Sequence, residues 1–170
     1  NLYTNVQLTP DADLRLAGHV TDRVTQNFAG YDATETSQAY NAIMDFKEKD
    51  GIRHYYKYDF NRQQTSVSDF TTQRAEARVV YKLREYLRVQ GGADYSLSDY
   101  FLKPTTTAPA GEKTTLESGG PLAGVMFKKN YAPYFLGPLS FDSAYDFTSG
   151  FSKLTSGTGG TEGSGFYYGN

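Results

Sequence analysis

The sequence predicts an all-β chain, an antiparallel meander closing as a β-barrel of about eight or more strands. Three observations carry this. Apolar and polar side chains alternate with period two through most of the chain, and turn residues punctuate that alternation at hairpin spacing. No segment reads as a helix long enough for a crossover, so successive strands must be neighbours. Composition agrees: 15 Tyr, 11 Phe and 17 Gly against no Trp and 2 Met favour strands and turns over helices.

The strongest element is Arg74 to Leu97. Ala75, Ala77, Val79, Tyr81 and Leu83 fall on one face and Arg74, Glu76, Arg78, Lys82 and Arg84 on the other, with Val80 out of step. The pattern resumes at Leu87, Val89, Gly91, Ala93, Tyr95 and Leu97, opposite Arg88, Gln90, Gly92, Asp94 and Ser96. A three-residue loop of Arg84, Glu85 and Tyr86 keeps the faces in phase, pairing Leu83 with Leu87, Tyr81 with Val89 and Val79 with Gly91. Each arm of about eleven residues is long for a soluble strand and suits a tilted bilayer crossing.

A looser hairpin begins the chain. Leu8 is expected opposite Leu14 and Val6 opposite Leu16 across Thr9-Pro10-Asp11-Ala12-Asp13, and LRLAGH there resembles LRVQGG in the main hairpin. A short strand over Val24 to Phe28 and a polar loop closed by Gly30 follow. Gln38 to Lys47 carries Tyr40, Ala42, Met44 and Phe46 on one face, with Ile43 as the exception. Asp50-Gly51 turns it into Ile52 to Phe60, where Ile52, His54, Tyr56, Tyr58 and Phe60 alternate with Arg53, Tyr55, Lys57 and Asp59. Asn61 to Gln64 reads as the next turn and Thr65 to Thr72 as a polar strand.

Beyond Leu102 the Thr, Pro and Gly content predicts a polar loop at 103–121, of a length more ordinary on a membrane barrel than in a compact soluble domain. Strands are expected again at Leu122 to Lys128, Tyr134 to Phe141 and Ala144 to Leu154, with Pro133 and Pro138 interrupting ladder donors. The domain division is therefore a barrel, or part of one, over 1–155 and a Gly-rich tail over 156–170.

The same alternation serves a soluble barrel with an apolar interior and a membrane barrel with an apolar exterior. Small residues on the apolar face, Ala75, Ala77, Gly91 and Ala93, fill a wide core poorly and cost little against lipid. The opposite face, Arg74, Glu76, Arg78, Lys82, Arg84, Arg88 and Asp94, is either a solvated surface or a hydrogen-bonded lumen. On the stretches PDADLRLAGHVTDR and VVYKLREYLRVQGGADYSLSDY the chain resembles outer-membrane β-barrel proteins. That resemblance implies short turns on the periplasmic side, longer loops outside, the bilayer as partner and a bacterial outer-membrane location. The chain departs from the pattern by ending Gly169-Asn170 without a terminal aromatic; with its Gly-rich tail this points to a part of a larger barrel or a soluble assembly subunit, and the start without Met to a removed targeting segment or a longer polypeptide.

Chemistry is sparse. Absent cysteine removes thiolate and zinc-finger chemistry, and a formal charge of -2 gives no case for nucleic acid. His19 and His54 have no third ligand at metal-site spacing, and no nucleophile motif or phosphate loop is present. The expectation is a non-enzymatic protein without cofactor: a membrane barrel acting as channel of porin type, scaffold or component of a transport assembly, with other envelope proteins or copies of itself as further partners. A secreted or cell-surface β-rich subunit that self-assembles through Tyr40, Tyr55, Tyr56, Tyr58, Tyr95 and Tyr100 is the alternative, and a soluble small-ligand-binding barrel a third.

Overall fold

A computed structural model describes residues 1–26, 32–104, 111–131, 139–156 and 163–169. They form one antiparallel sheet of nine strands in chain order: β1 (Leu2–Thr9), β2 (Ala12–Gln26), β3 (Asp32–Lys49), β4 (Ile52–Gln64), β5 (Ser68–Arg84), β6 (Leu87–Leu102), β7 (Glu112–Tyr131), β8 (Leu139–Ser156) and β9 (Gly163–Gly169). The meander is as expected. Closure is not shown: among the described residues no ladder joins β1 to β9, and the sheet they form is open at both edges.

Phase is kept across every hairpin, and this collects the apolar side chains on one face. One row runs Thr4, Leu16, Ala42, Tyr58, Ala75, Tyr95, Gly119 and Phe151 in register. Another runs His54, Val79, Gly91, Ala123 and Phe147. The intervening positions of each strand form the opposite, polar face, where Ile43 and Val80 sit opposite Lys57 and Arg53.

Three turns differ from the expectation in instructive ways. The first hairpin pairs Val6 with Leu14 and Thr4 with Leu16, two residues from the expected register, because Pro10-Asp11 makes a tight turn and the Thr9 hydroxyl accepts from the Asp11 N–H at 3.3 Å. A shift of two preserves the face, so the alternation alone was unable to exclude it. In the main hairpin Tyr81 meets Val89 and Val79 meets Gly91 as expected, yet Glu85-Tyr86 is a two-residue turn. The phase is saved by an irregularity between Lys82 and Arg84, not by a third loop residue. Asn61 to Gln64 is ladder, not turn, because Gln63 and Gln64 pair with Phe70 and Asp69. The chain reverses at Thr65, whose hydroxyl accepts from the N–H groups of Val67 and Ser68 at 3.2 and 3.0 Å.

The polar stretch expected as a loop over 103–121 is half strand: residues from Glu112 onward pair with β6, Glu112 opposite Leu102 and Pro121 opposite Ala93. Thr- and Gly-rich sequence hides such a strand because a ladder uses backbone groups and needs no apolar partner. Pro121, lacking an N–H, falls where the β7–β8 ladder skips from Gly119 to Leu122. Likewise 163–169, placed in the tail, is β9. The expected strand over Val24 to Phe28 is β2 as far as Gln26; Phe28, Gly30, Pro133, Pro138 and the start of the Tyr134 to Phe141 strand lie outside the described residues.

Two backbone devices shape the sheet. Asp50 and Gly51 have φ of 53° and 78°, the paired left-handed conformation of a tight hairpin. Adjacent Gly91 and Gly92 do different work: a Cβ on Gly91 meets nothing within 4 Å, whereas one on Gly92 would lie 2.1 Å from the Ala77 carbonyl oxygen. Strand β5 thus presses onto β6 on the polar face. Gly92→Ala is expected to lower the unfolding free energy by about 2 kcal/mol or more, and Gly91→Ala to stay within about 0.5 kcal/mol. Denaturant titration of the two variants side by side checks this.

Candidate functional site: a polar network and an apolar band

Of the charged residues picked out on the polar face, four converge. Glu76 on β5 accepts an ion pair from Arg78 at 2.9 Å and reaches Arg74 at 4.0 Å, and Arg74 also pairs with Asp94 on β6 at 3.4 Å. Tyr55 on β4 donates to Glu76 at 3.0 Å, and the Arg78 guanidinium lies 5.8 Å from the Tyr55 ring centre. Arg78 extends the network to Gln90 at 3.5 Å, and Gln90 donates to Asp146 on β8. Arg88 lies nearer the short turns and pairs with Glu48 at 3.4 Å. Lys82 and Arg84 make no ion pair with a described residue.

The network extends beyond those residues. Asp45 on β3 is held by Arg53 at 2.7 Å and Arg15 at 3.1 Å, while Asp59 takes Lys57 at 2.8 Å and Asn41 at 2.5 Å. Sequence reasoning placed Asp45, Arg53 and Asp59 on the polar phase of their strands but did not join them to the main hairpin. The signal that would have found them is the register of β2 to β5, which stacks their polar positions beside Arg78 and Arg74.

The six tyrosines separate. Tyr40, Tyr56, Tyr58 and Tyr95 share the apolar face, whereas Tyr55 and Tyr100 belong to the polar one, since their positions in β4 and β6 are odd and even to those neighbours. His54, on the apolar face, stacks on Phe46 with ring centres 4.4 Å apart and meets Tyr56 edge-on. His19, on the polar face, contacts Asn1 and the Thr21 hydroxyl. No cluster of metal-binding type occurs among the described residues.

Exposure on the two faces is inverted relative to a water-soluble fold. The side chains of Glu76, Asp45 and Asp94 are 11%, 16% and 16% exposed, yet Tyr56 and Val79 on the apolar face are 48% and 46% exposed. Ala12 is the single buried apolar residue among those described. Of the face from Ala75 to Leu83, Ala75 and Ala77 line an open groove with Tyr56, Tyr58 and Tyr95; Val79, Tyr81 and Leu83 lie outside it.

The apolar face is also bounded along the strands. At the end of the longer connections Tyr58 and Tyr95 donate outward to Gln73 at 3.1 Å and Glu117 at 3.0 Å, one row beyond their own. Past that row the same face becomes polar: Arg62 forks onto Asp69, and Lys113 pairs with Asp99 at 3.3 Å. At the other end Tyr86 packs edge-on against Phe127 beside the two-residue turn.

Comparison with protein-family models, curated proteins and solved structures finds no match to this chain.

Two outcomes follow. Glu76→Ala leaves Arg74 and Arg78 without their shared carboxylate and is expected to cost about 1–3 kcal/mol, against less than about 0.5 kcal/mol for Lys82→Ala, in matched unfolding titrations. The hydrogen bond from Arg62 holds Asp69 below the usual carboxylate range. Its contribution is therefore present above the unfolded value of about 3.9 and lost as pH falls through the lower folded one. Acidification is expected to lower the amide protection factors, corrected for the intrinsic rate at each pH, at Thr65 to Ser68 in the native chain, and Asp69→Asn to abolish that response.

Proposed function

We propose that this chain is a non-enzymatic β-barrel of outer-membrane type, its apolar face against lipid and its polar face inward. The inverted exposure carries the reading. Water favours the opposite arrangement, since each large apolar side chain left exposed forgoes about 1.5–3 kcal/mol of burial and each covered carboxylate loses hydration. In a bilayer the first term changes sign, since lipid accepts the tyrosine, valine and alanine surface, and the second is offset by pairs such as Arg78 with Glu76.

Dimensions support it. Ten residue steps from Gln73 to Leu83 at about 3.3 Å, on strands tilted about 40°, rise about 25 Å, the height of the apolar band of such barrels. Tyr58 and Tyr95 fit an interfacial girdle, with rings in the band and hydroxyls directed to its polar border. The mixed-sign pairing of Arg74 and Arg78 with Glu76 and Asp94, and of Arg15 and Arg53 with Asp45, favours a filled, scaffold-like interior over an open anion-selective pore, because the cations at mid-strand are already neutralised by neighbours. The bilayer is the partner, and the bacterial outer membrane the location this architecture suits.

The test is folding into lipid. Phosphatidylcholine vesicles or detergent micelles are expected to be required for the native far-UV spectrum and for heat-modifiable gel mobility. Ala93→Lys, at mid-band, is expected to weaken folding into vesicles by about 2–4 kcal/mol, with Ala93→Leu near neutral. A folded monomer stable in plain buffer sinks the proposal.

A further inference from the structure

The apolar face has two borders along the strands, and their charges differ in kind. At the longer-connection border cations and carboxylates pair on that face, Arg62 with Asp69 and Lys113 with Asp99, and Glu117 accepts from the Tyr95 hydroxyl. At the short-turn border the same face carries Lys49, Arg84 and Lys129. All three are exposed, and none makes an ion pair with a described residue.

The turns put them there. An irregularity just before a two-residue turn sets two residues against one, so the last residue before the turn comes to the apolar side: Lys49 opposite Ile52, and Arg84 opposite Leu87. Strict alternation assigns Arg84 to the polar face, where Lys82 remains, opposite Arg88. Lys129 follows Phe127 by two residues on β7 and shares its face.

Arg84 and Lys129 flank one aromatic ring. Tyr86 packs edge-on against Phe127 with ring centres 5.5 Å apart, and the Lys129 Nζ lies 5.5 Å from the centre of the Tyr86 ring. Of the carboxylates at this end, Glu48 pairs with Arg88 and Asp142 with Lys128 on the polar face. Glu85, in the turn itself, adjoins Arg84 in the chain, so the cluster keeps a net positive charge. Inward from it the surface is apolar and open, with Tyr81, Val89, Val125 and Tyr145 in one row and Leu83 exposed beside them.

We infer that Arg84, Tyr86 and Lys129 hold the phosphate of an anionic phospholipid on the short-turn side, its acyl chains running along β6 and β7 over Leu87, Val89 and Val125. The inference rests on the membrane reading and names the lipid class that this surface selects. Arg84 supplies a fork of donors and Lys129 a point charge, matched to phosphate oxygens. A zwitterionic head brings a cation of its own to a site that is already positive, whereas an anionic head does not. The paired border at Arg62 and Lys113 offers no such distinction, because each cation there already has its carboxylate.

The test takes the full chain folded into phosphatidylcholine vesicles, transfers it to detergent and counts bound lipid by native mass spectrometry. Phosphatidylglycerol is expected to bind about tenfold or more tightly than phosphatidylcholine, at about fivefold per cation. Arg84→Gln with Lys129→Gln is expected to remove the preference. Lys82→Gln, the same charge lost at the same end on the polar face, is expected to keep it, as is Arg84→Lys with Lys129→Arg. The comparison of the two lipids on the native chain needs no variant, and far-UV spectra verify the fold of each variant. Equal affinities, a preference that survives the double glutamine variant, an equal loss in Lys82→Gln, or inorganic phosphate bound as tightly as phosphatidylglycerol overturns the lipid site and leaves folding into phosphatidylcholine untouched. A chain that folds as a monomer in plain buffer and not into vesicles overturns the membrane reading and the site with it.

Discussion

The structure depends on parity. In a sheet assembled wholly from sequential hairpins, each turn must return the chain on the same two-residue phase, or every later side chain changes face. This protein meets that constraint with one device used three times: two-residue reversals at Pro10-Asp11, Asp50-Gly51 and Glu85-Tyr86, each accompanied by an irregularity that absorbs the odd residue, between Gln7 and Thr9, Phe46 and Lys49, and Lys82 and Arg84. Everything described at the level of faces follows. The polar network exists because Asp45, Tyr55, Arg78 and Gln90 are brought side by side by four strands, and the apolar band exists because their immediate neighbours in sequence are brought together on the other side.

Once parity has made two faces, their chemistry sets their surroundings. Carboxylates such as Glu76 are covered by arginine, tyrosine and neighbouring strands, while Val79 and Tyr56 have no layer above them. A sheet of this extent with no second layer has not buried its apolar surface within itself, so its stability must come from an external apolar phase or from association. Tyr58, Tyr95 and the polar rows beyond Gln73 mark where the apolar surface itself ends.

Much of this was legible in the letters. Alternation from Arg74 to Leu97 and from Gln38 to Phe60 was enough to assign strands, faces and most pairings, because period two is a local property. What escaped detection was non-local or indifferent to side chains. The first hairpin's register slipped by two without altering any face, β7 was concealed where its sequence is Thr- and Gly-rich, and the gathering of Asp45 and Asp59 onto the network required knowledge of which strands adjoin. Tyr55 and Tyr56, adjacent in sequence and grouped as contact aromatics, are on opposite faces for the reason that made the strands legible.

The strands of 17 to 20 residues, β3, β5, β7 and β8 among them, are longer than the apolar band they carry. Their surplus is gathered at one end, where Arg62, Asp69, Asp99 and Lys113 bond across ladders and not through loops. Mechanically this is a hydrogen-bonded wall that continues past the apolar zone for about 15–20 Å of strand, at about 3.3 Å for each of five or six further residues. Whatever approaches from that side meets paired backbone and the Arg62–Asp69 and Lys113–Asp99 pairs before the boundary that Tyr58 and Tyr95 define.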